Sequence, residues 1–128
     1  MTITYAAAGD LLDELVAARI DHGGDAFTSL FTPDAEFVPD PFATPITGHN
    51  GLRAYLLAAA GAERGYDLSI ERHWVSGDTV LAAWHASWTR STDEAKVRQA
   101  GFLSAEVGGD GRMMRLRYWS VTREHLAG

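Results

Sequence analysis

The hydrophobic pattern of this 128-residue chain changes its period once, close to residue 66. Before that point apolar residues recur at helical spacing, as in Leu11, Leu12, Leu15, Val16 and Ile20. Beyond it they alternate with polar residues, the period of a strand with one buried face. Helices followed by antiparallel strands predict an α+β fold.

The first half of the chain is predicted to form three helices. The first is expected to begin after Asp10, to carry Arg19 near its end as a partner for the helix dipole, and to stop at Gly23. Asp25 is the expected cap of a short second helix, which Pro33 ends before an extended segment at residues 35–38. After a loop at residues 39–47, Asn50 is the expected cap of a third helix ending between residues 61 and 65.

The second half is predicted to form four strands, at residues 68–75, 79–90, 96–107 and 113–123. Alternation assigns their faces. One side of the long strand carries bulky apolar residues and is expected to point inward: Val80, Ala82, Trp84, Ala86 and Trp88. On the last strand the alternation places Met114, Leu116 and Tyr118 opposite Met113, Arg115, Arg117 and Trp119.

Composition narrows the classes of protein that the chain can represent. With 46% hydrophobic and 22% charged residues, residues 1–128 match a single globular domain. A net charge of −6 argues against partners such as nucleic acid or anionic membranes. The lack of cysteine removes disulfides and thiolate metal sites, and neither a secretory signal nor a membrane span is evident, so a cytoplasmic protein is expected.

Four short motifs follow one another in a characteristic order: Gly23-Gly24-Asp25, residues 37–42 (FVPDPF), residues 48–53 (GHNGLR), and Gly111-Arg112 running to Tyr118-Trp119. Together they resemble the nuclear transport factor 2-like superfamily, which includes ketosteroid isomerases and SnoaL-type polyketide cyclases. The resemblance implies a cone-shaped α+β barrel, in which three N-terminal helices pack on a strongly curved, mainly antiparallel sheet around an apolar cavity. It also implies a homodimer through the outer sheet face, where Trp119 lies among arginines.

The resemblance places Asp40 at the position of the isomerase general base, and Pro41 favours an extended backbone there. The isomerase's hydrogen-bond donors are not retained. Their positions fall on Ala17 or Ala18, Leu103, Phe31 and Leu56. Because an enolate would lack those donors, a true steroid isomerase is not expected, and ring closure guided by shape is favoured.

Two other variants of the fold are disfavoured. Limonene epoxide hydrolases need an arginine and two carboxylates from the central strands, where this chain has Trp84, Ala86 and Trp88. The dehydratase variant pairs an aspartate with a histidine, but Asp21 does not match cleanly with either His73 or His85.

We therefore expect a cofactor-free enzyme that isomerises or cyclises a hydrophobic, polyketide- or steroid-like molecule. Asp40 would be an acid or base shielded from water, although a solvated aspartate in a proline-rich turn is the alternative. The expected substrate-lining residues are Trp84, Trp88, Tyr55, Phe42, Leu103, Tyr118, Phe31, Leu56 and His73. No metal is expected, because the histidines show no ligand spacing. The alternative function is a noncatalytic binding or dimerisation module whose interior is filled by its own side chains.

Overall fold

The computed structural model describes residues 2–126. Within that range the chain forms three helices and six strands: α1 (Tyr5–Asp21), α2 (Gly24–Thr28), β1 (Phe31–Val38), β2 (Ile46–Thr47), α3 (Gly48–Ala62), β3 (Glu63–Ser76), β4 (Thr79–Arg90), β5 (Lys96–Val107) and β6 (Met113–His125). The predicted α+β class is confirmed. None of the helices in residues 2–126 is long and apolar enough to cross a membrane.

The helices begin at other residues than predicted. Thr4, not Asp10, caps α1, and its Oγ1 accepts a hydrogen bond from the backbone N–H of Ala7 at 3.1 Å. Gly23 is the N-cap residue of α2 and Thr47 that of α3, so the predicted caps at Asp25 and Asn50 lie inside their helices. Several residues near each start can cap a helix, which is why the sequence pattern alone misplaced the boundaries.

All six strands belong to one sheet, in the order β2-β1-β6-β5-β4-β3. β1 pairs with β6 in parallel, and the other neighbours are antiparallel. The predicted bounds of β4 and β5 are confirmed, whereas β1 starts earlier than predicted, at Phe31. Pro33 is tolerated inside β1 because it lies in a register break between Phe31 and Glu36, where no regular ladder needs its missing N–H.

The helices cover one face of the sheet, and the buried apolar side chains form a cluster between the two layers. α1 packs mainly on β3, and α3 packs on β1 and α2. The predicted inward face of β4 is confirmed, since Val80, Ala82 and Trp84 are buried while His85 on the other face is exposed. This arrangement makes the concave side of the sheet the wall of the interior.

The start of β6 departs from the predicted alternation. Met113 is fully buried and Met114 is 44% exposed, although the alternation placed Met114, and not Met113, on the face of Leu116 and Tyr118. The pairing of β5 with β6 shifts register between Glu106 and Val107, and this irregularity exchanges the two faces at the strand start. Beyond it Tyr118 is buried as predicted.

Candidate functional site

A charged cluster lies inside the fold, where α1 ends and β3 begins. Arg19 is only 5% exposed and Glu63 12%, and the Arg19 Nη2 atom lies 3.4 Å from Glu63 Oε1. His22 Nε2 lies 3.3 Å from the same carboxylate oxygen. We call Arg19, His22 and Glu63 the Arg19 cluster. Charges this well shielded are paired because an unpaired buried ion costs several kcal/mol, roughly 3 to 5 in measured cases.

Local structure explains how the three side chains meet. Arg19 lies on the same face of α1 as the buried Leu12 and Leu15, so the helix directs it into the interior. His22 adopts the left-handed conformation, with φ of 51°, and ends α1. Glu63 has an extended backbone and follows α3 directly, which brings its carboxylate to the end of α1.

Aromatic rings surround the guanidinium group of Arg19. Its Cζ atom lies 4.3 Å from the ring centroid of Tyr66 and 5.8 Å from that of Tyr55. The Tyr66 ring in turn packs against Trp88, with centroids 5.6 Å apart, and against His22 at 6.0 Å. Such cation–π contacts stabilise a desolvated arginine by about 2 kcal/mol.

The ring contacts continue from Tyr55 deeper into the interior. We call the connected rings the aromatic wall: Tyr66, Trp88, Tyr55, Phe37, Tyr118 and Trp84. Phe37 packs edge-on against Tyr55, with centroids 4.9 Å apart, and against Tyr118 at 5.6 Å. Tyr118 then contacts Trp84 at 5.2 Å. The partly exposed Tyr55 and Trp88 mark where this wall meets solvent.

The tyrosines of this wall keep their protons at neutral pH. Burial raises the pKa of Tyr66 to about 12, against the opposing effect of Arg19. Burial also raises the pKa of Tyr55 and of Tyr118. For Arg19, burial alone would lower the pKa, but at the high pH where arginine titrates the ionised Tyr66 and Tyr55, together with Glu63, outweigh it and raise the pKa. The site therefore combines a permanent cation with neutral phenols, which are hydrogen-bond donors.

Two further donors in the interior lack partners. Arg19 Nη1 and Trp84 Nε1 are buried, and neither forms a hydrogen bond with any residue in 2–126. A buried donor without an acceptor costs about 1 to 3 kcal/mol. Each N–H would therefore gain free energy from an acceptor atom of a bound molecule.

Asp40 lies elsewhere, in the exposed loop after β1. Its Oδ1 accepts a hydrogen bond from the backbone N–H of Phe42 at 3.0 Å, and its carbonyl accepts one from Ala43 at 3.0 Å. The expectation that the carboxyl group is shielded from water is wrong, because this Asx-type turn holds it at the surface. Phe42 is 99% exposed, so its expected lining role is also wrong. A part for Asp40 in the chemistry stays a prediction.

The other expected lining residues fall into three groups. Trp84, Trp88, Tyr55 and Tyr118 form the aromatic wall near Arg19. Fully buried in the apolar core are Leu103, Phe31 and Leu56. His73 lies away from the interior and contacts the start of α1: its ring stacks on Tyr5 at 4.0 Å, and its Nε2 lies 3.1 Å from the Tyr5 carbonyl oxygen. The expectation that His73 borders the cavity is therefore wrong.

Sequence reasoning missed the Arg19 cluster. Arg19 was assigned to the helix dipole, although its spacing from Leu12 and Leu15 already places it on the buried face. Glu63 lies in the segment predicted to end the third helix.

A separate groove of 660 Å³ lies mainly on the outer side of the sheet. Its lining includes His85, Ser87, Arg98, Thr122 and Arg123. We call it the outer groove. It shares no residue with the Arg19 cluster or with the aromatic wall, so it is a distinct feature of the surface.

Solved structures show the same architecture at low sequence identity. The Mycobacterium tuberculosis protein RV0760c superposes with a TM-score of 0.83 at 12% identity, covering 96% of this chain and 99% of its own. SalBIII, described as an epoxide hydrolase/cyclase-like enzyme in pyran ring formation in the polyether salinomycin, gives 0.80 at 16%, covering 89% and 90%. A computationally designed 17-OHP binder gives 0.80 at 14%, covering 93% and 98%.

Sequence comparison identifies the family. No curated protein sequence matches the chain. The family model described as SnoaL-like domain matches residues 12–123, which is most of the chain. These findings confirm the resemblance to the nuclear transport factor 2-like superfamily. The chain belongs to the SnoaL-like domain family.

Proposed function

We propose that this chain is a cofactor-free enzyme that isomerises or cyclises a hydrophobic, polyketide- or steroid-like molecule inside the cone. The observation that carries the proposal is the Arg19 cluster, which places charged groups within an aromatic interior. SalBIII, of the same fold, is named for a role in ring formation, which supports the class of reaction. Composition supports one domain working in the cytoplasm, as expected from the sequence.

The substrate would enter where Tyr55 and Trp88 meet solvent. Flat apolar molecules bind such walls by stacking and by removal of apolar surface from water. The wall runs from these two residues to Trp84, so a bound polycyclic molecule would lie beside Arg19. Holding a flexible substrate in one folded shape lowers the entropic part of a cyclisation barrier.

Two carboxylates are candidates for proton transfer. Glu63 is our first choice, because it lies at the interior and its neighbour His22, 3.3 Å away, can pass a proton onward. Glu63 would take a proton from the carbon next to a carbonyl, and the negative charge on the resulting enolate oxygen would be stabilised by N–H and phenol donors. Asp40 is the second choice, and it requires its loop to move over the interior.

Proton transfer can be tested without knowing the natural substrate. We expect the chain to accelerate deuterium exchange at the methyl group of methyl naphthyl ketone in deuterium oxide, followed by proton NMR. Glu63→Gln should lower the catalysed rate by roughly a hundredfold or more, the usual range for loss of a general base. Asp40→Asn, the matched control on the exposed loop, should retain the parent rate.

The reverse pattern would contradict this assignment. If Asp40→Asn removed exchange and Glu63→Gln did not, the loop carboxylate would be the acid or base. Circular dichroism of both variants distinguishes loss of chemistry from loss of fold. If the parent bound the ketone but gave no exchange above the solvent rate, proton transfer by this chain would be excluded.

A noncatalytic binding module is the second candidate function. It is favoured by one observation: each carboxylate in question already accepts hydrogen bonds, Glu63 from Arg19 and Asp40 from the Phe42 backbone. The computationally designed 17-OHP binder has this fold, which supports a role in binding alone. Saturable binding of the ketone together with no exchange would support this candidate.

The outer sheet face is the proposed contact of a homodimer. It exposes large apolar side chains, among them Leu81, Phe102, Trp119 and Val121. Light scattering should give twice the 13.9 kDa mass of the chain. Phe102→Asp should shift the protein toward the monomer, because a buried charge at an apolar contact is costly. A parent protein that is monomeric at micromolar concentration would contradict the proposal.

A further inference from the structure

One row of the outer sheet face is acidic at one edge and basic at the other. Four exposed residues lie directly opposite one another on β3, β4, β5 and β6: Asp67, Ser87, Arg98 and Arg123. Adjacent strands are about 4.8 Å apart, so along this row Asp67 is about 10 Å from Arg98 and about 14 Å from Arg123. The carboxylate is therefore too far from the arginines to pair with them within one copy.

The charges of this row are uncompensated in the described part of the chain. Arg98 and Arg123 are cross-strand neighbours, and like charges in this arrangement repel each other. Neither of them, nor Asp67, forms an ion pair with any residue in 2–126. All three line the outer groove. The groove would therefore gain from a partner that carries a carboxylate at one end and a cation at the other.

Two neighbouring rows show the same complementarity between the edges of the sheet. In one row Arg72 lies on β3 and Trp119 on β6, and in the next row Trp74 lies on β3 and Arg117 on β6. Each edge thus carries a cation in the row where the other edge carries a ring. Because cations are attracted to the faces of such rings, the β3 edge of one copy suits the β6 edge of another.

The middle of the outer face is apolar and indented. Phe102 on β5 is 56% exposed, whereas its neighbour Ala83 on β4 is small. A recess of 440 Å³ lies beside Phe102, with Ala83, Ala100 and Gly101 in its lining. An apolar centre with a charged rim is typical of protein–protein contacts.

A two-fold axis along the strands, between β4 and β5, matches all of these features. It lays the β3 edge of one copy on the β6 edge of the second and each row on its own row. Phe102 of one copy then meets the recess of the other. An axis across the strands would lay β6 on β6, whose outward residues include Arg115, Arg117 and Arg123. Like charges opposed in this way disfavour association.

We propose that the outer groove is the recognition site for Asp67 of a second copy, which meets Arg98 and Arg123 across a two-fold axis parallel to the strands. This inference rests on the homodimer in the proposed function. It adds the orientation of the two copies and the ionic contact that selects it.

Charge reversal tests the ionic contact. Asp67→Arg and the double variant Arg98→Asp with Arg123→Asp should each raise the dissociation constant of the dimer about tenfold or more in analytical ultracentrifugation, because attraction becomes repulsion at both symmetric contacts. An equimolar mixture of the two variants should regain the parent affinity and form heterodimers in native mass spectrometry, which also shows that both are folded. Asp25→Arg, the same change at a 95% exposed side chain of α2, should have no effect.

A cysteine pair tests the orientation, because the chain has no cysteine of its own. Residues 67 and 123, about 14 Å apart within one copy, are beyond the reach of a disulfide. Across the proposed axis they meet, so Asp67→Cys combined with Arg123→Cys should give a covalent dimer on a nonreducing gel after mild oxidation. Asp67→Cys alone should give none, since the two β3 edges lie on opposite sides of the contact.

The outcomes separate this inference from the homodimer on which it rests. A monomeric parent would overturn both. A parent dimer that neither charge reversal weakens would overturn the Asp67 contact and leave the homodimer standing, and loss of inorganic phosphate binding in the double arginine variant would then identify the groove as a small-anion site. A covalent dimer from Asp67→Cys alone would overturn the proposed axis.

Discussion

Arg19→Ala should lower the free energy of unfolding by about 3 to 5 kcal/mol, as measured by urea denaturation. The substitution leaves Glu63, 12% exposed, without the cation that compensates its charge. It also removes the guanidinium packed 4.3 Å from the Tyr66 ring centroid. Both losses fall in the interior, where water screens charges poorly.

A surface ion pair provides the matched control. Arg53 Nη2 lies 3.0 Å from Asp25 Oδ1, but the two side chains are 48% and 95% exposed. Arg53→Ala should therefore cost less than about 1 kcal/mol. The double variant Arg19→Met with Glu63→Leu should recover much of the stability lost in Arg19→Ala, since it removes both charges. Equal losses in Arg19→Ala and Arg53→Ala would show that the Arg19 cluster is not buried in solution.

Gly101→Ala should destabilise the fold by at least ~3 kcal/mol, at the upper end for overpacking. Gly101 lies in the middle of β5, paired with Trp84 on β4 and Ser120 on β6. A Cβ atom at this position would lie 1.8 Å from the carbonyl oxygen of Trp119. The obstacle is backbone, so the sheet must shift to admit the methyl group.

Gly61→Ala is the control for adding the same methyl group. Gly61 lies in α3, and a Cβ there meets nothing within 4 Å. This variant should be stabilised by up to about 1 kcal/mol, because alanine favours a helix. Thermal or urea unfolding measures both variants. If Gly101→Ala were as stable as the parent, β5 and β6 would not approach so closely at this point.

The strands were more predictable than the helix starts. Ser76-Gly77-Asp78 and the polar loop at residues 91–95 bound β4 on both sides, so its ends followed from local turn chemistry. The position of the α1 cap at Thr4 could not be predicted from local chemistry, because Asp10 has an equally suitable capping side chain. At Met113 the alternation failed, since a register shift depends on the partner strand.

The site was predictable where it follows from strand alternation. Trp84 was placed inward by period-two spacing, whereas Arg19 and Glu63 meet only through the tertiary fold, 44 positions apart in sequence. Asp40 was predicted to be shielded from water, but it lies in an exposed loop. Its carboxylate accepts a hydrogen bond from the Phe42 backbone N–H, and this contact within the local turn sets the direction of the side chain.

The central claim is that ligands bind along the aromatic wall beside the Arg19 cluster. The most direct test is a crystal structure of the chain in complex with methyl naphthyl ketone. We predict that the ring of the ketone lies against Tyr118 and Tyr55, on the side of the aromatic wall that Arg19 occupies. A ketone bound instead at the Asp40 loop or in the outer groove would contradict the account.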